Sequence, residues 1–342
     1  MTFPQSTAAA ALMLASIAAP AALADPAGLM RLELDMPHHG RATSAALWYP
    51  AAPGGAQTLF ADNPVFSGVT AMQDAPVAPG THPVVLLSHG MGGGIQSTAW
   101  LAAGLAERGA IVLSLNHINS TWSAFDMSKG VEHWSRAQDL SRALDVISAD
   151  ERIAGHLDDS RTMAAGFSFG GWTALSMGGA LANHAGILEV CRNTELELVY
   201  CDQFLSDKIN LAEIDPEAWN ASYRDPRVTH VTAIDPGFVW GIAAEDLSQM
   251  VPQVTLIGLG EGQDRLSAAD FDASGFAAHL PDAHVDRIVP GTHFTAMPLC
   301  KPAGPAILEE ERDDPVCTDP QGADRAEVHA RIINSLAADL GL

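Results

Sequence analysis

Short uninterrupted apolar runs, separated by amphipathic stretches, recur along most of the chain. PVVLLS at 83–88 and AIVLSL at 110–115 are two of them, and the more mixed segments 161–167, 228–234, 253–259 and 285–289 read as further strands. A run that is apolar throughout, without alternation, reads as a strand covered on both faces. Between these runs the spacing changes to a helical period. Residues 95–108 predict a helix stopped by Gly109, and 170–181 and 323–340 predict two more. In 134–149, Leu140, Leu144 and Ile147 form an i, i+4, i+7 stripe. That stripe leaves Arg136, Asp139 and Arg142 on the outer, polar side. Further helices are expected between the last three strands. Strands alternating with helices mean βαβ units and a mostly parallel central sheet flanked by helices, an α/β class.

Two segments depart from this rhythm. Residues 50–82 follow the strand-like runs 29–34 and 44–49, are rich in Pro and Gly, and read as an extended loop. Residues 183–227 show little clean periodicity and read as an inserted, cap-like segment over the sheet. On this reading residues 25–342 form a single domain.

The N-terminus belongs to a different class of signal. Residues 8–19 are apolar but for Ser16, and Ala22-Leu23-Ala24 supplies a small-residue cleavage site before Asp25-Pro26. This is the pattern of a signal peptide over 1–24, too short to span a bilayer. It predicts export, to the periplasm or the medium, with no stable membrane insertion. The four cysteines fit that expectation. Cys191 with Cys201 and Cys300 with Cys317 would each close a short polar loop, and disulfides persist in oxidising compartments. No C-x-x-C occurs, so zinc is the weaker use of these thiols. The net charge of −23 opposes binding to phosphate backbones and argues against nucleic acid as a partner.

The chemistry concentrates in Gly166-Phe167-Ser168-Phe169-Gly170-Gly171. This matches G-x-S-x-G, a tight strand-to-helix turn that exposes a serine hydroxyl, and it stands between a predicted strand and a predicted helix as the motif requires. A serine needs an adjacent base, an acid to orient that base, and donors for the oxyanion. Of the downstream histidines, His293 lies just past the last strand, in Pro290-Gly291-Thr292-His293. It is therefore placed at the carboxyl end of the sheet with the serine. His284 stands before that strand, at the other end, and His279 and His329 sit on helices. One oxyanion N–H is expected from Phe169, the other from the loop Ser88-His89-Gly90-Met91-Gly92-Gly93-Gly94. His89 itself reads as structural.

These segments, with Ala233-Ile-Asp-Pro-Gly-Phe, resemble the α/β-hydrolases related to plasma platelet-activating-factor acetylhydrolase. They are also similar to the broader exported dienelactone-hydrolase-like group. The likeness is dense over 83–177 and 228–297 and thin in 183–227. It implies the α/β-hydrolase fold and an esterase acting on a small-molecule ester without cofactor or metal. It further implies Ser168 as nucleophile, His293 as base, and oxyanion N–H groups from Met91 and Phe169. A dienelactone hydrolase proper would carry a cysteine nucleophile, which this chain lacks. The acid would be Asp235 by the acetylhydrolase likeness. Many other members place it one strand later, where Glu261 and Asp264 stand. The substrate alternatives are polyesters, long-chain lipids or amides, and the alternative from another class is a non-catalytic binding scaffold.

Weaker signals remain. Asp270, Asp272 and Ser274 resemble the start of a calcium loop, but Pro281 stands where a bidentate Glu is needed, so a solvated turn is expected. His38-His39 has no partner at ligand spacing and reads as a surface pair. Trp122, Trp134, Trp172, Trp219 and Trp240 would either line an acyl pocket or fill core. Asn116-His117 reads as a loop bordering the site.

Overall fold

The computed structural model describes residues 26–342 apart from 194, 195 and 197, so the expected signal peptide lies outside the described residues. Ten strands form one sheet: β1 (Gly28–Met36), β2 (Arg41–Tyr49), β3 (Ala56–Phe60), β4 (Val69–Gln73), β5 (His82–Ser88), β6 (Ile111–Leu115), β7 (Leu157–Phe167), β8 (His230–Ile234), β9 (Gln253–Leu259) and β10 (His284–Ile288). Their spatial order is β10-β9-β8-β7-β5-β6-β2-β1-β4-β3. From β6 to β10 all neighbours are parallel, while β2 runs antiparallel to both β1 and β6.

The continuous apolar runs are the centre of this sheet for the reason their pattern suggests. Val84 and Leu86 of β5 point into one core and Val85 and Leu87 into the other, all buried. Helices α1 (Ala99–Ala106) and α9 (Arg325–Asp339) cover one face. Helices α3 (His133–Ala149) and α4 (Phe169–Gly178) cover the opposite one. Between α1 and α3 lies the single turn α2 (Met127–Gly130), capped by the Asp126 side chain on Ser128 N–H.

Three sequence expectations need correction here. Residues 50–82 are not merely a loop, because they contribute β3 and β4 to the far edge of the sheet. Their register comes from pairing with each other and with β1, which local composition does not encode. Among the described residues, no α-helix separates β8 from β9 or β9 from β10; only 3-10 turns do. Gly260, Gly262 and Gly275 there adopt positive φ, and Pro252 and Pro281 interrupt any longer helical run. Finally, Arg136 and Asp139 of α3 are fully buried and do not face solvent.

Residues 183–227 carry α5 (His184–Arg192), α6 (Cys201–Phe204) and α7 (Pro216–Asn220), with α5 and α6 joined by the Cys191–Cys201 disulfide. Trp219, Phe204 and Tyr200 from this stretch converge on Phe238, in the loop after β8. The Phe238 ring in turn packs, tilted, 4.8 Å from that of Phe169 at the start of α4. The segment therefore packs on the loops that frame the carboxyl end of the sheet. After β10 come α8 (Gly304–Glu311), the Cys300–Cys317 disulfide and α9. No helix among the described residues is long and apolar enough to cross a membrane.

Candidate active site

Ser168 sits between the end of β7 and the first residue of α4 with φ 57° and ψ −121°. For a residue with a Cβ this is a sparsely populated conformation, and neighbouring close contacts hold it there. A Cβ on Gly170 would overlap the Ser88 carbonyl oxygen at the end of β5, so only glycine lets helix and strand approach this closely. The Ser168 N–H donates to the Ile234 carbonyl at 2.9 Å, tying the turn to β8.

The His293 Nε2 lies 3.0 Å from Ser168 Oγ, and its Nδ1 lies 2.5 Å from Asp235 Oδ2. Since a carboxylate only accepts, Nδ1 carries the proton and Nε2 is left free to accept from the hydroxyl. His293 and Asp235 are buried, while Ser168 keeps partial exposure. Asp235 follows β8 directly at φ 45°, with its N–H on the Ile257 carbonyl at 2.7 Å. Its Oδ1 accepts from the Leu259 N–H at 3.0 Å and from the Arg265 guanidinium. Of the acidic candidates, Asp235 is the one brought to His293. Asp264 and Glu261 are exposed, and Asp264 immediately precedes Arg265, the residue that reaches Asp235. Arg265 was not singled out by sequence; an Arg beside the alternative acid was the available signal.

The turn carrying His293 is held from several sides. His329 Nε2 lies 3.1 Å from the Thr295 carbonyl and 3.0 Å from that of Met297. Its ring stacks on Trp100 at 3.7 Å, and Trp100 Nε1 donates to the Ala296 carbonyl at 3.1 Å. Thr295 Oγ1 donates to Asp319, which is paired with Arg325. Burial lowers the His329 pKa to about 4, so the imidazole is held neutral.

Facing Ser168, the loop after β5 comes close enough that a Cβ on Gly90 would stand 3.3 Å from the serine Cβ. Among the described residues, neither the Met91 N–H nor the Phe169 N–H donates a hydrogen bond, so both are available to a ligand. Behind this loop lies a polar network that sequence reasoning missed. Arg136 donates to Thr173 Oγ1 at 3.0 Å, Ser120 Oγ at 2.5 Å, Ser88 Oγ at 3.1 Å and the His89 carbonyl, and lies 4.6 Å from the Phe169 ring centre. Ser88 Oγ also meets His117 Nε2 at 2.9 Å, and His117 Nδ1 meets Asp139 Oδ2 at 2.9 Å. Burial pushes the Asp139 carboxyl up, but hydrogen bonds from His117, His38 and His39 outweigh it and hold the group well below the usual carboxylate range. Burial likewise lowers Arg136 to about 9. His117 is thus no loop bystander, and His38 and His39 are not a free surface pair, because both reach the buried Asp139.

The remaining candidates fall outside the site. Asp272 is paired with Arg287, so the calcium-like stretch is committed elsewhere. His284 is exposed at the start of β10. Trp172 and Trp219 are core and Trp122 is exposed. Trp122 instead borders a cleft of about 560 Å³ beside the glycine loop, lined also by Phe66, Gly92, Ser97, Met297 and Ile307.

No protein-family model matches the chain, and no curated protein matches it by sequence. Solved structures do. A ferulic acid esterase from Streptomyces cinnamoneus superposes with a TM-score of 0.58 at 20% identity, covering 95% of this chain and 91% of that one. The chain has the α/β-hydrolase fold. A dienelactone hydrolase-like promiscuous phosphotriesterase from metagenomic libraries also superposes, with a TM-score of 0.51 at 14% identity over 91% of this chain and 98% of that one. In an α/β-hydrolase frame, Ser168, Asp235 and His293 come from the carboxyl ends of β7, β8 and β10, where the loops of a parallel sheet gather functional groups.

Proposed function

We propose that this α/β-hydrolase-fold protein is a serine hydrolase that cleaves carboxylic esters through an acyl-enzyme. The observation that carries the reading is the continuous relay from Ser168 Oγ through His293 to Asp235, with spans of 3.0 and 2.5 Å. In the first step Ser168 Oγ bonds to the ester carbonyl carbon as its proton passes to His293 Nε2. The carbonyl oxygen takes the negative charge and is held by the N–H groups of Phe169 and Met91. Asp235 keeps the imidazole in the receptive tautomer and stabilises the imidazolium. The tetrahedral species collapses, the C–O bond to the alcohol breaks, and His293 returns its proton to the leaving oxygen. Water then repeats the sequence on the acyl-enzyme, releasing the carboxylic acid and restoring Ser168. The cleft beside Gly92 and Trp122 is apolar on much of its wall and suits a hydrophobic acyl or alcohol moiety.

A fluorophosphonate probe tests this reading. The expected result is stoichiometric labelling of the folded chain that disappears in Ser168→Ala. Absence of labelling on well-folded protein would leave a binding scaffold as the better description. A panel of p-nitrophenyl esters of increasing chain length then measures the depth of the acyl site.

A further inference from the structure

The hairpin turn between β1 and β2 carries His38 and His39 on a 3-10 turn closed by Gly40 in the left-handed region. Consecutive residues on such a turn normally diverge. Here both imidazoles swing to the same atom: His38 Nε2 lies 2.8 Å and His39 Nε2 3.0 Å from Asp139 Oδ1. The ring centres are 4.4 Å apart, and the three donor atoms all lie within 4.8 Å of one another. This is the one group of three such side chains gathered in this way among the described residues.

We propose that His38, His39 and Asp139 form a binding site for one borderline divalent d-block cation such as Zn²⁺. Two imidazoles and a carboxylate are the donor set such ions prefer, whereas Ca²⁺ and Mg²⁺ require mostly oxygen. A Zn²⁺ ion needs its donors at about 2.0–2.2 Å from a common centre, so on binding the two imidazoles would exchange their hydrogen bonds to Asp139 for bonds to the metal and close in on it. The Asp139 carboxylate supplies the negative charge, and its side chain is fully buried, so its direction is fixed. Its second oxygen is held by His117 Nδ1 at 2.9 Å, and His117 is held by Ser88, giving the ligand carboxylate the kind of outer support that metal sites use. The His38 side chain retains 27% exposure, which leaves a solvent side for access and for water as the remaining ligands. The site stands independently of the chemistry assigned to Ser168.

The test is a Zn²⁺ titration of the full chain after chelator treatment, followed by calorimetry and by thermal melting. Parallel titrations use His38→Ala, His39→Ala and the double variant, each checked for folding by circular dichroism. Because both histidines lie on a hairpin turn, these variants avoid disturbing the sheet. One equivalent of Zn²⁺ should bind and raise the melting temperature. Each single substitution should weaken binding about tenfold or more, the double variant should abolish it, and excess Mg²⁺ should not compete. No binding to the parent chain would overturn the proposal, leaving the histidines as hydrogen-bond donors to a buried carboxylate. Unchanged binding in a folded double variant would overturn it equally, by placing the ion elsewhere.

Discussion

Arg265 donates to Asp235 Oδ1, the carboxylate oxygen opposite the one that holds His293. With the Leu259 N–H on the same oxygen, Asp235 has little freedom to rotate away from the imidazole. Asp235→Asn should leave the fold intact but favour the wrong imidazole tautomer, lowering kcat by about 10⁴-fold. Asp264→Asn, at an exposed position, should leave kcat unchanged. Arg265→Gln should fall between the two. Steady-state kinetics on one p-nitrophenyl ester would check all three, and a silent Asp235→Asn would remove Asp235 from the site.

Arg136 is expected to matter for rate more than for substrate affinity. It fixes the His89 carbonyl and Ser88 behind the glycine loop and packs on Phe169, so it braces the backbone of both proposed oxyanion donors from behind. Arg136→Met removes every one of these hydrogen bonds and strands buried acceptors, at about 1–3 kcal/mol each. The expected outcome is a lowered melting temperature with kcat reduced about 10²-fold and KM nearly unchanged. Arg136→Lys keeps the charge and should recover part of the loss.

Acid should destabilise the protein through its buried neutral histidines. His133 and His329 both have pKa values lowered from 6.5 to about 4, in each case chiefly by burial. Between these two pH values the unfolded chain binds protons that the folded chain refuses. Stability is therefore fully present above pH 6.5 and is lost as the pH falls toward 4, by up to roughly 3 kcal/mol per imidazole. Urea midpoints should fall between pH 7 and pH 4.5, and His329→Gln should make that fall shallower.

Reduction should act on the turn that carries His293. The Cys300–Cys317 disulfide closes a segment containing Val316, whose carbonyl accepts from Arg325. Arg325 also anchors Asp319 and the Pro298 carbonyl. Cys300→Ser with Cys317→Ser should lower stability by about 2–4 kcal/mol and reduce kcat more than opening Cys191–Cys201 does. Thermal melting and turnover of the two double variants would rank them.

What sequence revealed and what it hid divide by the range of the interactions involved. The elbow at Ser168 and the strands β5 to β9 were legible because tight turns and doubly buried strands are written in consecutive residues. The Cys pairs were legible because each loop is short. Strands β3 and β4 were not, since their register depends on partners supplied by the fold. Arg136 and Asp139 looked solvent-facing on α3 because helical periodicity marks polarity. It does not show that Ser88, Ser120, His117 and the distant His38 and His39 would meet them in the interior. The preference for Asp235 over Asp264 and Glu261 rested on the family likeness, because the three acids follow two adjacent strands and only the path of each loop separates them.

Helix α9 holds none of the residues expected to act on an ester, yet its His329 and Arg325 grip the segment that presents His293. Arg161, in the strand that leads to Ser168, is in turn bonded to the carbonyl of Leu340. The C-terminal helix is thus a keystone between two arms of the site. Deleting residues from Asp324 onward should abolish turnover although Ser168, His293 and Asp235 all remain in the chain, because it removes this anchor together with the core side chains Val328, Ile332 and Leu336.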